Sequence, residues 1–247
     1  MRFAWPLTGR LEEMRLIDAA LSDEGSSGMV ICGAAGVGKS RIVRATLDSA
    51  ASRGCVTHWA VGTSCALTLP LGAFTAWVRS ERADTVQLVR GVIESLTAAA
   101  PGRTVVIGVD DVHLLDDLST FVVHQIVQRC AAKVVLTVRD GEPISSGTQE
   151  LWKAGQFERL DLQPLPPDDT TTLLSATLGG SMDSHDGGRL WELARGNVLY
   201  LRHIVEQEVA DGRILLEQGS WRWVGDPIMA PGLVDLVETP QRRAVTI

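Results

Sequence analysis

The sequence has few cysteines, no excess of basic residues and no long uninterrupted apolar run. Its 247 residues include four cysteines, none of them in a C-x-x-C pair, which argues against a zinc site or a disulfide framework and fits a reducing compartment. Lys plus Arg number 23 against 30 for Asp plus Glu, so bulk charge does not favour a protein that coats nucleic acid or an anionic membrane. The hydrophobic fraction of 45% excludes an intrinsically disordered chain.

Two apolar segments are too weak for a targeting or membrane role. Phe3 to Leu7 is the apolar stretch that precedes Arg10, and it is too short for the core of a signal peptide. The uncharged segment Trp59 to Val78 is diluted by glycine, proline, serine and threonine, which lowers its hydropathy well below that of a membrane span. We therefore expect a cytoplasmic protein that does not bind a membrane.

Short β-branched runs alternate with helical patterns up to residue 163. The runs predict strands at Met29 to Cys32, Cys55 to Val61, Thr104 to Val109, Lys133 to Val138 and Phe157 to Leu162. Helical spacing is found at Leu11 to Leu21, Ile42 to Ala50, Phe74 to Val78, Val86 to Ala99 and Phe121 to Arg129. This alternation predicts an α/β fold with a parallel sheet covered by helices on both faces.

The pattern becomes helical after three closely spaced prolines, Pro164, Pro166 and Pro167. The helical segments are Asp168 to Leu178, Arg189 to Arg195 and Val198 to Ala210; two strands then flank Gly219-Ser220, at Ile214 to Gln218 and Trp221 to Val224. Two short strands around a two-residue turn indicate a hairpin. We therefore divide the chain into a core at 1–163, a small helical lid at 164–212, and a hairpin with an irregular tail at 213–247.

The segment Gly33 to Ser40 matches the phosphate-loop pattern G-x-x-x-x-G-K-[ST]. Backbone N–H groups of such a loop cradle phosphates, its lysine reaches the terminal phosphates, and its Ser hydroxyl binds Mg²⁺. The loop leaves an apolar strand and opens a helix, whose N-terminal dipole favours an anion. A chance match has odds of about 1%. We predict ATP and Mg²⁺ as ligands, with nucleotide-binding residues Gly33, Ala34, Ala35, Gly36, Val37, Gly38, Lys39, Ser40 and Arg41.

An acid pair, Asp110 and Asp111, follows the β-branched run that begins at Thr104. Mg²⁺ at a phosphate loop requires a carboxylate at the carboxyl end of a neighbouring strand. Asp110 is the better candidate for the metal, together with Ser40, and Asp111 the better candidate for the base that activates water. The alternative is that the two acids cap the next helix.

Two further polar residues lie near this edge of the predicted sheet. Arg139 ends the next strand, where its guanidinium could stabilise charge on a phosphate during transfer; the alternative is a solvated arginine. His113 follows the acid pair, and we interpret it as a helix-start residue rather than a catalyst.

A set of spaced motifs resembles a known group of proteins. The motifs are Leu7-Thr8-Gly9-Arg10-x-Glu12, Gly33 to Ser40, Leu69-Pro70-Leu71-Gly72, Asp110-Asp111-x-His113-x-x-Asp116, Thr137-x-Arg139 and Gly196-Asn197-x-Leu199-Tyr200-Leu201. In this order they resemble the ATPase module of large LuxR-type transcriptional regulators of actinobacteria, from the signal-transducing STAND branch of AAA-like P-loop ATPases. The resemblance covers about residues 5 to 225.

The resemblance implies a sheet with an additional strand between the phosphate-loop strand and the Asp110 strand, followed by a helical lid. It also implies that Arg10 lies beside the nucleotide base, that Arg139 is a sensor arginine, and that Asp111 is the hydrolytic base. Val198 replaces the proline that the family has after Gly-Asn. Family members continue into a C-terminal helix-turn-helix that binds DNA. This sequence ends at Ile247 without a recognisable motif of that kind, so we expect no specific DNA binding by this chain itself.

The sequence thus predicts an Mg–ATP switch that hydrolyses ATP slowly to ADP and phosphate, in the context of transcription regulation. Its expected partners are ATP or ADP, and either another protein or a second copy of the chain. Two alternatives stay open. One is a small-molecule phosphotransferase with an acceptor pocket in Thr63 to Trp77, and the other is an interaction module that binds nucleotide for stability alone.

Overall fold

A computed structural model describes residues 3–79, 84–99, 102–143, 147, 149–150, 157–217 and 219–224. The tail expected after Val224 lies outside these described residues. The chain divides into two compact units. The larger unit comprises Arg10–Ala35 and Lys39–Gln163, and the smaller unit comprises Met1–Gly9, Gly36–Gly38 and Pro164–Ile247.

Helices and strands alternate along the larger unit. Its described α-helices include α1 (Leu11–Ser22), α2 (Lys39–Ser52), α3 (Thr85–Thr97) and α4 (Asp117–Gln128), with 3₁₀ turns at Gly72–Trp77 and Val112–Leu114. Its strands are β1 (Gly28–Gly33), β2 (Val56–Val61), β3 (Val105–Asp110), β4 (Lys133–Arg139) and β5 (Phe157–Asp161).

The strands of the larger unit form one parallel sheet in the order β2-β3-β4-β1-β5. Every residue of β1 and β3 is buried, as parallel strands covered on both faces require. The predicted α/β fold class is confirmed. So is the additional strand, because β4 lies between β1 and β3.

Strand register brings the carboxyl ends of β1, β3 and β4 to the same edge of the sheet. Ile31 of β1 pairs with Thr137 of β4, and Gly33 pairs with Arg139. Beneath this edge lies an apolar core that includes Phe74, Ile107 and Leu136, each at most 1% exposed. Burial of such a side chain is worth about 1.5–3 kcal/mol, so the core holds the strand ends in a defined register.

Helix α4 and the segment Phe74 to Val78 differ most from the sequence expectation. Helix α4 begins at Asp117 rather than Phe121, because the carboxylate of Asp116 caps it by accepting from the N–H groups of Leu118 and Ser119. The polar first turn hides the apolar period that marks the rest of the helix. The expected helix at Phe74 to Val78 is instead part of the 3₁₀ turn Gly72–Trp77.

The smaller unit contains helices and a short sheet of three described strands. Its elements are α5 (Pro167–Leu178), β6 (Ser181–Met182), α6 (Ser184–Ala194), α7 (Val198–Ala210), β7 (Ile214–Glu217) and β8 (Ser220–Trp223). The predicted hairpin is confirmed, since β7 and β8 pair antiparallel, but Ser220, expected in the turn, is the first residue of β8 and pairs with Glu217. Strand β6 pairs with β8 and is too short to leave a periodic signal. Helix α6 starts at Ser184 rather than Arg189 because Asp183 caps it.

A buried carboxylate, Glu208 of α7, ties the hairpin to the helices of the smaller unit. It is 3% exposed and accepts from Arg213 Nε at 2.8 Å, Arg213 Nη2 at 2.7 Å and Trp223 Nε1 at 2.7 Å. The hydrogen bonds from Arg213, above all, hold the pKa of Glu208 below its ordinary value. Because an unpaired buried charge is strongly destabilising, these contacts make the carboxylate a structural anchor.

None of the described helices has the length and hydropathy of a membrane-crossing segment.

Candidate functional site

The segment from Gly33 to Ser40 joins the end of β1 to the start of α2. Lys39 is the first residue of α2 and is 7% exposed. Its Nζ donates hydrogen bonds to the carbonyl oxygens of Gly33 and Ala34, both at 2.8 Å. Gly38 has φ +107° with open space where a Cβ would stand, so its backbone conformation, rather than crowding, requires glycine. The loop therefore closes around a buried ammonium group.

The electrostatic environment of Lys39 combines burial with nearby carboxylates. Burial lowers the pKa of Lys39 below its ordinary value, and Asp111, Asp140 and Asp110 oppose this shift. The ammonium stands at the N-terminus of the 14-residue helix α2. The helix dipole and the unpaired N–H groups of a first turn also attract an anion. The segment thus presents groups whose charge is complementary to that of a phosphate.

A threonine hydroxyl connects the two acids at the carboxyl end of β3, Asp110 and Asp111. Asp110, 6% exposed, accepts at Oδ1 from Thr137 Oγ1 at 2.5 Å. The same Thr137 oxygen accepts from the N–H of Asp111 at 2.9 Å. Thr137 is fully buried, so one side chain of β4 orients both acids. A role for Thr137 is not predicted from the sequence alone, although a polar residue within an apolar strand is a signal for a buried polar contact.

Asp111 has a left-handed backbone, with φ +51° and ψ +55°, a region that Asp tolerates better than most residues. Gly62 packs against the backbone of the two acids. The N–H of Gly62 donates to Asp110 O at 2.8 Å, and a Cβ on Gly62 would lie 2.4 Å from Asp111 O. Burial, followed by the charge of Asp110, raises the pKa of Asp111 above its ordinary value. A raised pKa makes the carboxylate a stronger proton acceptor than an exposed aspartate.

Arg139 and Ser40 lie at the same edge of the sheet and are more accessible. Arg139 ends β4 opposite Gly33; its side chain is 46% exposed, with Nη1 4.0 Å from Glu142 Oε1. Its charge acts on both Lys39 and Asp111. Ser40, the second residue of α2, is exposed. The structure therefore brings Lys39, Asp110, Asp111 and Arg139 together around Thr137.

The remaining predicted binding residues differ in their surroundings. Arg10 is 6% exposed; its Nη1 donates to Glu13 Oε1 at 2.7 Å and its Nη2 to Gln163 O at 2.6 Å. Its guanidinium is thus bonded within the larger unit. Val37 is buried, Ala34 and Arg41 are exposed, and Ala35 lies between these extremes. A position of Arg10 beside a nucleotide base stays a prediction.

Asp116 connects the turn at Leu71 and Gly72 to the start of helix α4, a structural joint that is not predicted from the sequence alone. Its Oδ1 accepts from the N–H of Leu71 and its Oδ2 from the N–H of Gly72, both at 3.0 Å. The same carboxylate caps α4. Leu71 has a left-handed backbone, φ +58°, which these two bonds stabilise. The motif at Leu69 to Gly72 and the motif that ends at Asp116 are therefore parts of one joint.

In the smaller unit, Asn197 organises the start of α7. Its Oδ1 accepts from Leu199 N at 3.1 Å and Tyr200 N at 3.3 Å. Gly36, which belongs to this unit, accepts at its carbonyl oxygen from Leu199 N at 3.2 Å. A Cβ on Gly36, whose φ is +79°, would lie 2.4 Å from Asn197 Oδ1. Asn197 thus caps helix α7, and Val198 is the first residue of the helix. Proline is favoured at this first position but is not required there.

The donor set suits a weakly held Mg²⁺ rather than a dedicated metal cage. No group of three or more His, Cys, Asp or Glu residues arranged to hold a metal exists within the described part of the chain. Mg²⁺ prefers oxygen ligands, and at nucleotide sites it needs only one or two from the protein besides the phosphates. The Ser40 hydroxyl and the Asp110 carboxylate have that chemistry, and Thr137 already orients Asp110.

Comparisons with known proteins identify the fold. No protein-family model and no curated protein sequence matches the chain. Three similar solved structures are the Aeropyrum pernix Orc1 protein in complex with DNA, a Saccharomyces cerevisiae Hsp104–ADP complex and AMPPCP-bound DnaA from Aquifex aeolicus, with TM-scores of 0.61, 0.60 and 0.59. Their sequence identities to this chain are 16%, 17% and 16%.

The similarity covers 89%, 83% and 83% of this chain, but 64%, 31% and 62% of the Orc1, Hsp104 and DnaA chains. This chain therefore spans less than two thirds of each of these neighbours. At such identities the likeness concerns the fold. The chain therefore shares the α/β fold of these three structures, with a parallel sheet flanked by helices.

Proposed function

We propose that this chain is an Mg–ATP-binding module that hydrolyses ATP slowly and acts as a signal-transduction switch. The observation that carries the proposal is the buried Lys39 within the loop Gly33 to Ser40, next to the acid pair held by Thr137. The similarity in fold to a DnaA structure that contains AMPPCP supports a nucleotide as the ligand.

Binding would use groups that the loop already presents. Lys39 Nζ now donates to two loop carbonyls, and phosphate oxygens of ATP would replace one or both as acceptors. The backbone of Gly33 to Gly38 and the side chains of Ser40 and Arg41 complete the proposed phosphate site. Arg10 is proposed at the nucleotide base. Ser40 and Asp110 would hold Mg²⁺, which supplies charge neutralisation on the phosphates when bound.

Hydrolysis would depend on positioning and charge rather than on a covalent intermediate. Asp111 is the proposed base, since burial and Asp110 raise its pKa. It takes a proton from water while the water oxygen forms its bond to the γ-phosphorus and the bond to ADP breaks. Arg139, whose charge acts on Lys39 and Asp111, would stabilise the negative charge of the transferred group.

The biological context is proposed from the sequence motifs. Their resemblance to STAND-type ATPase modules of LuxR-type regulators supports a cytoplasmic role in transcription regulation. It also supports residues 1–163 as the ATPase core, 164–212 as a lid and 213–247 as hairpin and tail. A protein partner or a second copy would receive the signal. The net charge of −7 argues against specific DNA contact by this chain itself.

The direct test is Lys39→Ala, measured by thermal unfolding with and without MgATP. The wild-type protein should gain about 2.7 kcal/mol at a ligand concentration 100-fold above Kd, whereas the variant should gain nothing measurable. Arg44→Ala, which removes an exposed cation from the same helix, should retain the wild-type gain. The proposal is wrong if the wild-type protein melts alike with and without MgATP. Product analysis separates hydrolysis, which yields ADP and phosphate, from phosphotransfer to an acceptor.

A further inference from the structure

His113 occupies a rigid position at the edge of the sheet that carries the acid pair. It is the middle residue of the 3₁₀ turn Val112–Leu114, which directly follows Asp111. The turn is closed by a hydrogen bond from Leu114 N to Asp111 O at 2.9 Å. It is also anchored in the core by Val112, which is 2% exposed. The backbone of His113 is therefore held in a defined place relative to Asp111.

The Nδ1 atom of His113 is buried and has no hydrogen-bond partner among the described residues. Buried polar atoms without partners are rare in folded proteins, because each forfeits the hydrogen bonds it made to water. Such an atom beside a candidate site leaves a hydrogen-bonding position for a ligand or a water molecule. His113 thus offers an unused hydrogen-bonding position.

Other buried atoms of the larger unit share this condition but not this environment. His58 Nε2 and Trp59 Nε1 of β2, and Ser95 Oγ of α3, also have no partner among the described residues. Burial is the cause of the lowered pKa of His58, with no charged group involved. His113, in contrast, interacts electrostatically with Asp111, Glu142, Arg139 and Lys39. Three of these four belong to the proposed site.

The imidazole of His113 is suited to accept a hydrogen bond. Burial lowers its pKa below the ordinary value; Asp111 and Glu142 oppose the shift, and Arg139 and Lys39 add to it. A neutral imidazole that carries its proton on Nε2 has a lone pair on Nδ1. That lone pair can orient a water molecule without competing with Asp111 for the proton that is removed.

We propose that His113 Nδ1 accepts a hydrogen bond from the water that attacks the γ-phosphate, and so holds this water next to Asp111. The inference rests on the proposed ATP hydrolysis. One water proton passes to the Asp111 carboxylate, and the other, bonded to His113, stays on the oxygen. That oxygen forms the new bond to phosphorus as the bond to the bridging oxygen of ADP breaks. The products are ADP, phosphate and the proton on Asp111, which is then released to solvent.

Three substitutions at His113 test which ring atom matters. Asn places a polar atom near the position of Nδ1, Gln places one near the position of Nε2, and Leu removes both. We expect His113→Asn to keep kcat within about fivefold, and His113→Gln and His113→Leu to lose at least about tenfold, since a misplaced reacting group can cost about 10²-fold. KM and the thermal shift with MgATP should stay near wild type in all three. His124→Asn, at a half-buried position on α4 outside the proposed site, is the matched control and should change nothing.

A second measurement reports on the water contact independently of turnover. The ring nitrogens of His113 are followed by ¹⁵N NMR in the protein with MgADP and then with MgADP and aluminium fluoride, a mimic of the transferred phosphoryl group. We expect the Nδ1 resonance to move on addition of aluminium fluoride and the His124 resonances to stay in place. If His113→Leu fails to fold, the comparison of the Asn and Gln variants, together with this spectrum, still tests whether His113 Nδ1 holds the attacking water.

The outcomes separate this inference from the proposed function. A wild-type protein that shows no thermal shift with MgATP overturns the proposed function, and this inference with it. A wild-type protein that binds and hydrolyses ATP, with His113→Leu or His113→Gln equally fast, overturns only the role of His113. An unchanged Nδ1 resonance does the same. Binding without any phosphate release also overturns it, since no attacking water would then need to be held.

Discussion

Thr137 and Asp110 are joined by a hydrogen bond between neighbouring strands, with Thr137 Oγ1 donating to Asp110 Oδ1 at 2.5 Å. The hydroxyl oxygen of Thr137 also accepts from the backbone N–H of Asp111. Strand β4 therefore orients both the proposed Mg²⁺ ligand and the proposed base. Neither acid can move without disturbing a fully buried threonine.

Thr137→Val is expected to weaken this arrangement while keeping the shape of the side chain. It removes the donor to Asp110 and the acceptor for Asp111 N, so buried polar groups lose their partners at a cost of about 1–3 kcal/mol. Phosphate release should fall at least about tenfold, because positioning supplies much of the catalysis in such sites. Thr137→Ser keeps the hydroxyl and should stay close to wild type in urea unfolding and in turnover. Equal turnover in Val and wild-type proteins would contradict the positioning role.

Asp111→Asn should separate nucleotide binding from chemistry. Asp111 has no proposed contact with the phosphates, so the affinity for MgATP should stay within a few fold of wild type. Most phosphate release should be lost, since the amide cannot accept the proton from water. Asp117→Asn, an exposed acid on α4, serves as the control. Asp111 is not the base if its Asn variant releases phosphate at the wild-type rate in single-turnover assays.

Asp116→Ala should destabilise the larger unit more than a surface substitution does. The change removes the cap of α4, worth about 1 kcal/mol, and the acceptors for Leu71 N and Gly72 N. We expect a total loss of about 2–4 kcal/mol. The neighbouring Asp117→Ala should stay within about 0.5 kcal/mol of wild type. Chemical denaturation of both variants checks this, and similar midpoints would show that the joint contributes little.

Glu208→Gln should make the stability of the smaller unit less sensitive to acid. The folded pKa of Glu208 is lowered, chiefly by Arg213. Its ionised form therefore stabilises the protein fully above the ordinary pKa of about 4.5, and this contribution is lost as the pH falls through the lower folded pKa. At pH 7 the variant should be less stable by about 1.5–3 kcal/mol.

The difference in free energy of unfolding between wild type and Glu208→Gln should shrink once the pH lies below the pKa of Glu208 in the folded protein. Protonated Glu and Gln then resemble each other. Urea unfolding at pH 7 and at acid pH measures this. Glu206→Gln on the same helix, where Glu206 pairs with Arg202 near the surface, is the control. A pH-independent difference would show that the carboxylate is not charged in the folded protein.

Elements with a strong local pattern were predictable from the sequence. Strands β1 and β3 are continuous apolar runs, and the loop Gly33 to Ser40 is recognisable from its glycines and Lys39. Both signals arise from neighbouring residues, since burial on both faces and phosphate-loop geometry each impose a short sequence pattern. The same holds for the hairpin at Gly219, because a short hairpin turn accepts only a few residue types, glycine among them.

Elements that depend on distant partners were not predictable in this way. Strand β6 exists because β8 lies beside it, and the early start of α4 depends on the cap at Asp116. The roles of Thr137 and Asp116 depend on which strands and loops become neighbours. Arg10 donates a hydrogen bond to Gln163 O, which is far away in the sequence, and its place beside a nucleotide base stays a prediction.

The sequence by itself determined the α/β class, the parallel strands and the chemical identity of Lys39, Asp110 and Asp111, because hydrophobic periodicity and the phosphate-loop pattern are local. Only the tertiary structure decided that Thr137 holds the two acids, that Asp116 joins Leu71 to α4, and that His113 Nδ1 faces no protein partner among the described residues. These relationships require strand order and register, which set the distances between groups far apart in the chain and follow from packing of the whole core.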